Sequence, residues 1–289
     1  MSPRRNARAL TPSPRRHAAS GRTRALGQHF LRDRSVVDRI LDLVRPTARD
    51  LVVEIGPGRG ALTEALASRA GRLIALEIDG DLVTALQARF ATAPHVEIRQ
   101  ADARRFDAAG LRPLVPDPGG RVIVVGNLPY SVGKPVLAAL VDCGPEIDEM
   151  ALMLQKEVAE RVAAAPGGKT YGALSVLTQA SASVDLAFSV PPGAFSPPPQ
   201  VESAVIRLRP HREPPVAIAD PSRFGAVVRA AFSQRRKSLA NALAAGLGVP
   251  AERARRLAQA AGIDPGRRAE SLSLAEFARL ASISDGSER

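Results

Sequence analysis

The stretch Leu51-Val-Val-Glu-Ile-Gly-Pro-Gly-Arg-Gly-Ala61 decides the fold. Its first five residues are mostly apolar and β-branched, as in a buried parallel strand, and the pattern from Leu62 to Ala67 is helical. A strand, a glycine-rich turn and a helix form the first unit of a nucleotide-binding α/β fold. Glycine at Gly56 and Gly58 lets the backbone approach a ligand where a Cβ atom would clash. The stretch therefore predicts a doubly wound α/β sheet with a nucleotide-like ligand at its carboxyl edge.

The next two predicted strands are each followed by an acidic residue. Glu77 ends the strand that begins at Arg72, about twenty residues beyond the first glycine, and its carboxylate can accept hydrogen bonds from two ribose hydroxyls. Up to this point the pattern fits a dinucleotide as well as S-adenosylmethionine. Asp102 follows a third strand, His95 to Gln100, and can bind the amino group of a cofactor adenine. This third position favours S-adenosylmethionine.

A fourth strand leads into Asn127-Leu-Pro-Tyr130. The Asn127 side-chain oxygen and the Leu128 carbonyl can each accept a hydrogen bond from an exocyclic amino group, and proline fixes the turn that presents them. The Tyr130 ring can stack on a flat base. Taken alone, the four residues also fit an ordinary turn after a strand, in which Asn caps and Tyr packs. Their place at the same sheet edge as the acidic residues favours an adenine-binding socket.

These motifs resemble the ribosomal RNA adenine dimethyltransferases, and more closely the KsgA (RsmA) branch, which modifies small-subunit RNA, than the Erm resistance methylases. The similarity extends over nearly the whole chain. Its segments are Leu26–Leu31, Glu54–Gly60, Leu76–Asp79, Gly126–Tyr130, Met153–Val158, Phe195–Ala204, Ala231–Lys237, Gly262–Pro265 and Arg268–Leu272.

The resemblance implies a class I methyltransferase with a Rossmann-like sheet and a smaller, all-helical C-terminal domain. It implies methyl transfer from S-adenosylmethionine to the amino nitrogen of two adjacent adenines in a loop near the 3′ end of 16S rRNA. The product is dimethyladenosine, and the implied setting is a monomeric enzyme acting on a pre-ribosomal 30S particle during small-subunit biogenesis.

The resemblance also assigns site residues. The family often has Asn where this chain has His29, and Ser131 stands where Asn is commoner in this branch. The implied cofactor contacts are His29, Leu31, Gly56, Gly58, Glu77, Ile78, Asp102, Ala103 and Asn127. The implied adenine contacts and catalytic residues are Asn127, Leu128, Pro129, Tyr130 and Phe195, of which Tyr130 and Phe195 could sandwich the base.

The net charge of +11 is unevenly distributed along the chain. Residues 1–32 hold eight Arg and no acid, residues 33–222 hold 20 basic and 23 acidic residues, and residues 223–268 hold ten basic residues against two acids. Two cationic flanks around a nearly neutral centre fit a polyphosphate partner such as RNA, although solvated arginine-rich helix faces would also produce them. Within the carboxyl flank, Arg235, Arg236 and Lys237 are predicted to contact RNA phosphates at the start of a helix.

Composition excludes several other kinds of site. The single Cys143 cannot form an internal disulfide or a Cys-rich zinc site, and it reads as a small buried apolar residue. The four His residues lack ligand spacing, so no metal is predicted. No apolar run approaches the length of a membrane span, and we expect a cytoplasmic protein that does not contact membranes.

The predicted organisation has four parts: a disordered basic tail (1–24), a methyltransferase domain (25–210), a Pro-rich linker (211–221) and a helical RNA-binding domain (222–289). An acid-free, Arg-rich tail also resembles an organellar transit peptide. In the last part, helices are predicted at 222–232, 236–245, 251–262 and 273–281, the last with a capping box formed by Ser273 and Glu276.

Three other functions remain open on the sequence. A dinucleotide oxidoreductase would use the glycine loop, but it leaves the adenine socket unexplained. A non-catalytic RNA-binding assembly factor on a methylase scaffold would be expected to have lost part of the cofactor edge, which is complete here. An Erm-like methylase of large-subunit (23S) RNA is the alternative within the enzyme class.

Overall fold

The computed structural model describes residues 28–283, so the predicted disordered tail (1–24) lies outside the described residues. Nine strands are present in this part: β1 (Phe30–Leu31), β2 (Leu51–Ile55), β3 (Arg72–Glu77), β4 (Val96–Gln100), β5 (Val122–Asn127), β6 (Glu149–Gln155), β7 (Ala182–Val190), β8 (Phe195–Ser196) and β9 (Ser203–Pro210). The α-helices of the same part are α1 (Arg34–Val44), α2 (Ala61–Ala67), α3 (Gly80–Arg89), α4 (Gly133–Asp142), α5 (Lys156–Ala163), α6 (Ala173–Ser181), α7 (Pro221–Ala231), α8 (Leu239–Leu247), α9 (Ala251–Ala260) and α10 (Leu274–Ser282).

Seven strands form one sheet in the order β4-β3-β2-β5-β6-β9-β7. The first five are parallel, and β9 pairs antiparallel with both β6 and β7. The chain leaves β2 toward β3 on one side and later returns to β5 on the other. This reversal makes the carboxyl ends of β2 and β5 the topological switch point, where open α/β sheets bind their ligands.

The alternation of side chains along β2 divides the core between the two faces of the sheet. Leu51 and Val53 pack with α4 and α5 on one face, and Val52 packs with α1 and α2 on the other. All five residues of β2 are buried, because helices cover both faces of the strand. The same alternation directs Glu54 toward the face of α1 and α2.

A small two-stranded ribbon lies beside the main sheet. β1 pairs antiparallel with β8, with Phe30 opposite Ser196 and Leu31 opposite Phe195. The Arg32 backbone N–H donates to the Ala194 carbonyl at 2.9 Å, which extends the pairing beyond the strands. The ribbon joins the segment before α1 to the Pro-rich loop after β7, and the Phe30 ring of β1 lies next to Gly58 of the glycine loop.

The helices α7 to α10 form a second core with Phe224, Val228, Leu243 and Phe277 among its buried side chains. Tyr171, from just before α6, belongs to the same core. The division at the predicted linker (211–221) therefore remains a prediction, since this core takes residues from both sides of it.

The predicted fold class is confirmed: an α/β sheet is followed by a helical C-terminal region. The capping box of α10 is also present, with Ser273 Oγ accepting from the Glu276 N–H and Glu276 accepting from the Ser273 N–H. The prediction of a helix from residue 236 is wrong, because α8 begins only at Leu239. The N–H groups of Leu239 and Ala240 donate to the Arg267 and Pro265 carbonyls, which fixes the start of the helix there.

Candidate cofactor and adenine site

A cleft opens at the carboxyl edge of the parallel strands. The segment before α1, the glycine loop after β2 and the ends of β3, β4 and β5 all contribute to its walls. Every predicted cofactor residue lines this cleft: His29, Leu31, Gly56, Gly58, Glu77, Ile78, Asp102, Ala103 and Asn127. Leu128, Pro129 and Tyr130 line it as well, whereas Phe195 does not.

The glycine loop needs glycine for two different reasons. Gly56 has φ of +69°, a left-handed conformation that residues with a side chain rarely adopt. At Gly58, a Cβ atom would come within 2.8 Å of the Phe30 ring. The loop therefore lies against β1, and its glycines leave room along this part of the cleft wall for a ligand to approach the backbone closely.

The carboxylate of Glu77 fixes the backbone on both sides of it. One oxygen accepts from the Gly58 N–H at 3.0 Å, and the other accepts from the N–H groups of Ile78 and Asp79 at 2.9 and 3.1 Å. The side chain is only 4% exposed. Glu77 thus stabilises the glycine loop as well as lining the cleft. This structural role could not be predicted from side-chain types, because the hydrogen bonds come from backbone donors.

Asp102 is held by a residue two positions further on. Arg104 Nε donates to both carboxylate oxygens at 3.0 Å, and its Nη2 donates to one of them at 2.6 Å. These bonds, together with one from the Arg104 backbone N–H, lower the pKa of Asp102 to about 2. Asp102 is therefore a hydrogen-bond acceptor only, at any pH at which the protein works.

The side-chain amide of Asn127 has a fixed orientation. Its Nδ2 donates to the His29 carbonyl at 3.0 Å, so the Oδ1 atom faces the opposite way. The next residue, Leu128, continues the sheet pairing by donating its N–H to the Met153 carbonyl at 3.0 Å. Among the described residues, no hydrogen bond is made to the Leu128 carbonyl oxygen. Two acceptors therefore lie next to each other at the end of β5.

Tyr130 is held at its hydroxyl group. This group is 2.7 Å from Oγ of the buried Ser203, and burial raises the pKa of Tyr130. The His29 ring lies near the Tyr130 ring, with the centroids 5.6 Å apart and the planes tilted by 36°. His29 Nδ1 is also 2.8 Å from the Pro197 carbonyl, so His29 links the Pro-rich loop to the wall of the cleft.

Phe195 takes a place that the sequence did not predict. Its side chain is 1% exposed and packs with Leu31, Val190 and Val205 in the core beside α1. The structure does not bring its ring together with Tyr130, because the pairing of β8 with β1 turns it inward. The aromatic neighbour of Tyr130 in the cleft is His29.

The sequence analysis assigned no role to three polar side chains near the glycine loop. Gln28 Oε1, Glu54 Oε2 and Thr63 Oγ1 are buried and have no hydrogen-bond partner among the described residues. Burial raises the pKa of Glu54 to about 8, the nearby Thr63 hydroxyl lowers it, and the Glu77 carboxylate raises it. Gln28 and Glu54 line the cleft, and their unpaired oxygen atoms fit a bound polar ligand, so in this respect the cleft suits a nucleoside cofactor with an amino-acid arm.

The predicted RNA-binding residues lie in the turn between α7 and α8, and not within a helix. All three are exposed, and Arg235 Nη2 donates to the Lys169 carbonyl at 2.5 Å and lies 3.9 Å from Glu270. Arg236 and Lys237 form no ion pair within residues 28–283. The described residues contain no His, Cys, Asp or Glu cluster able to hold a metal, and none of their helices is long and apolar enough to cross a membrane.

Comparisons with known proteins agree with this geometry. The family model described as "Ribosomal RNA adenine dimethylase" matches residues 20–285. The chain is similar to "Ribosomal RNA small subunit methyltransferase A" of Chromohalobacter salexigens, with 44% identity over 94% of each chain. The protein of the same name from Geobacter metallireducens is 47% identical over 89% of this chain and 93% of its own.

Solved structures show the same fold. A dimethyladenosine transferase from Plasmodium falciparum superposes with a TM-score of 0.72 at 23% identity, covering 87% of this chain and 96% of the other. The 23S rRNA methyltransferase ErmE gives a TM-score of 0.64 at 26% identity and covers 87% of this chain and 98% of its own.

Proposed function

The chain belongs to the ribosomal RNA adenine dimethylase family, and we propose that it dimethylates two adjacent adenines of small-subunit rRNA with S-adenosylmethionine as methyl donor. The observation that carries this proposal is the pair of acceptors at the end of β5. The amide of Asn127 is fixed with its oxygen away from His29, and the Leu128 carbonyl beside it is unpaired among the described residues. An exocyclic amino group has two N–H donors, which match these two acceptors.

The cofactor occupies the cleft beside the glycine loop in this proposal. Glu77 accepts from the ribose hydroxyls, and Asp102, held as an acceptor, takes the amino group of the cofactor adenine. His29, Leu31, Gly56, Gly58, Ile78, Ala103 and Asn127 complete the contacts. When bound, S-adenosylmethionine supplies an electrophilic methyl group on its sulfonium sulfur.

Asn127 and Leu128 act on the target nitrogen. The lone pair of an adenine amino group is delocalised into the ring, which makes the nitrogen a poor nucleophile. Hydrogen bonds from both of its hydrogens to the Asn127 Oδ1 and the Leu128 carbonyl favour a more tetrahedral nitrogen and direct its lone pair toward the methyl donor. The contribution of the protein is positioning and electrostatics, and no strong general base is required.

A second transfer to the same nitrogen needs fewer acceptors than the first. A monomethylated amino group retains one N–H, which either acceptor can take. Pro129 and Tyr130 border the cleft on this side, and the Tyr130 ring, held by Ser203, can stack on a base that has left its helix. Extrusion costs least from a loop, where RNA bases are already unstacked.

The RNA backbone is gripped by the cationic flank. Arg236 and Lys237 are exposed and unpaired within the described residues, and they lie in a turn that can follow a phosphate chain. Arg235 is partly engaged with the Lys169 carbonyl and Glu270, so it contributes less to phosphate binding than its two neighbours. These residues supply affinity and orientation, not chemistry.

The small-subunit substrate is favoured over the large-subunit one by the relatives. The named relatives at 44–47% identity are small-subunit methyltransferases, whereas the large-subunit enzyme ErmE is 26% identical. We place the protein in the cytoplasm, as a monomer that acts on a pre-ribosomal 30S particle.

Methylation assays on three substrates test this proposal. Naked 16S rRNA, unmethylated 30S particles and 50S particles are incubated with S-adenosylmethionine, and dimethyladenosine is located by mass spectrometry of nuclease fragments. We expect two adjacent dimethyladenosines near the 3′ end of 16S rRNA in the small-subunit samples. Modification of 50S particles alone would assign the protein to the Erm-like alternative, and the absence of methylation in every sample would support the non-catalytic one.

A further inference from the structure

The carboxylate of Asp102, which follows β4, has all of its lone pairs engaged in this structure. A carboxylate offers about four lone-pair sites, two on each oxygen. Oδ1 accepts from the backbone N–H and from Nε of Arg104, both at 3.0 Å, and Oδ2 accepts from Nε at 3.0 Å and from Nη2 at 2.6 Å. Apart from the backbone contact, all of these come from the Arg104 side chain.

This arrangement conflicts with the role of Asp102 in the proposed function, on which the inference rests. In that function the carboxylate accepts a hydrogen bond from the amino group of the cofactor adenine. The bond needs a lone pair of Asp102, and Arg104 already occupies it. The backbone contact caps the short 3₁₀ turn Ala103–Arg105, so it is part of the local fold. The contact that must yield to the adenine is therefore one from the Arg104 side chain.

The exposure of Arg104 allows it to yield. Its side chain is 52% exposed, against 27% for the side chain of Asp102, and both residues line the cleft. A guanidinium group with this exposure is hydrated again when it leaves the carboxylate, and ion pairs at the surface are weak. An adenine amino group can therefore replace one of the Arg104 contacts, but the energy of the lost contact is subtracted from cofactor binding.

We propose that Arg104 competes with the adenine amino group of the cofactor for the Asp102 carboxylate, and that it thereby limits both the affinity for the cofactor and the preference for adenine. A base with the amino group gains a bond to Asp102 and breaks one contact of Arg104. A base without the amino group leaves the contacts of Arg104 intact, so it gains no bond and breaks none. Arg104 is thus a specificity-determining residue that touches no reacting atom.

The competition also affects release of the spent cofactor. Dimethylation of two adjacent adenines requires S-adenosylhomocysteine to leave between successive transfers. Differences in affinity between closely related complexes arise mainly from the rate of dissociation. Arg104 therefore shortens the time for which S-adenosylhomocysteine stays bound, because it stands ready to take back the carboxylate of Asp102.

The variant Arg104→Met tests the competition, because methionine keeps a long unbranched side chain and has no N–H donor. Binding of S-adenosylhomocysteine is measured by calorimetry, together with binding of its 6-deamino analogue, in which hydrogen replaces the amino group of the base. We expect the variant to bind S-adenosylhomocysteine about two to five times more tightly than the wild type does, in keeping with loss of a surface ion pair. Binding of the 6-deamino analogue should change by less than about 1.5-fold, since nothing competes with it.

Arg105→Met is the matched control. Arg105 is the next residue of the same turn, and in the described part of the chain it is exposed and acts on Asp102 through its charge and not through a hydrogen bond. The control removes the same charge and should leave the affinity for both ligands close to that of the wild type. A second measurement uses the wild type alone, because salt screens exposed ion pairs. Raising NaCl from about 50 mM to about 500 mM should increase its preference for S-adenosylhomocysteine over the 6-deamino analogue.

The outcomes separate this inference from the proposed function. If the wild type does not bind S-adenosylhomocysteine at all, the proposed function fails. If the wild type binds it and Arg104→Met binds it equally or more weakly, the competition is refuted while the function stands. An equal gain for both ligands, or the same gain in Arg105→Met, would also overturn the competition, since the effect would then come from charge and not from the contact with Asp102. If Arg104→Met does not fold, the wild type decides alone, and a preference that does not change with salt overturns the inference.

Discussion

Replacing Glu54 by Gln should change how the stability of the free protein depends on pH. The folded protein holds Glu54 with a pKa of about 8, raised from 4.5 by burial, whereas the unfolded chain ionises it near 4.5. Between these values the folded state keeps a proton that the unfolded state has lost. The free energy of unfolding therefore falls as the pH rises, by about 1.4 kcal/mol per pH unit at most, and the contribution present below pH 4.5 is lost by about pH 8.

Glutamine is nearly isosteric with glutamic acid and does not titrate, so in the variant this residue no longer makes the free energy of unfolding depend on pH. The free energy of unfolding is measured with urea at pH 5.5, 6.5, 7.5 and 8.5, without ligand. The value for Glu54→Gln minus the value for the wild type should rise at each step, by about 1.4 kcal/mol per pH unit at most. Glu157→Gln is the control, because the Glu157 side chain is 76% exposed, and its free energy of unfolding should change with pH as that of the wild type does. A constant difference between Glu54→Gln and wild type across this range would refute the argument that burial keeps Glu54 neutral.

Three further changes probe the other parts of the site. Glu77→Ala should weaken binding of S-adenosylhomocysteine by roughly 1.5–3 kcal/mol, as measured by calorimetry. It should also lower the melting temperature, because three backbone N–H groups lose their acceptor. Unchanged affinity in a folded variant would show that Glu77 does not bind the cofactor. Asn127→Ala should lower the single-turnover methylation rate by about 10²–10³. A near-normal rate with bound cofactor would show that its oxygen does not act on the target nitrogen. Changing Arg235, Arg236 and Lys237 together to Gln should reduce the slope of log affinity for RNA against log salt concentration by about 0.7–0.9 per lost phosphate contact, with cofactor affinity unchanged. An unaltered slope would show that these three side chains contact solvent and not RNA.

The sequence predicted the parts of the fold that repeat a simple pattern. The buried strands β2 and β5 and the glycine loop were recognised because β-branched runs, glycine spacing and acidic residues after strands are local signals. The β1–β8 ribbon was missed because each strand has only two residues, and nothing local in Phe30–Leu31 indicates a partner 165 residues away at Phe195–Ser196. The inward position of Phe195 follows from that ribbon, and so it was missed as well.

Pairing between distant segments also explains the error at α8. Helical periodicity allowed the helix to begin at residue 236, but its first N–H groups are taken by carbonyls of Pro265 and Arg267 in the loop before α10. The three cationic residues consequently lie in a turn, where their side chains diverge more freely than on one helix face.

The cleft contains three acidic residues whose environments give them different properties. Asp102 is half-buried and bonded to Arg104, which lowers its pKa to about 2. Glu77 is buried and accepts bonds from three backbone N–H groups, whereas Glu54 is buried with one oxygen unpaired. If all three acids were ionised together, their mutual repulsion would destabilise the free protein. A neutral Glu54 avoids that cost in the free protein, since burial raises its pKa to about 8.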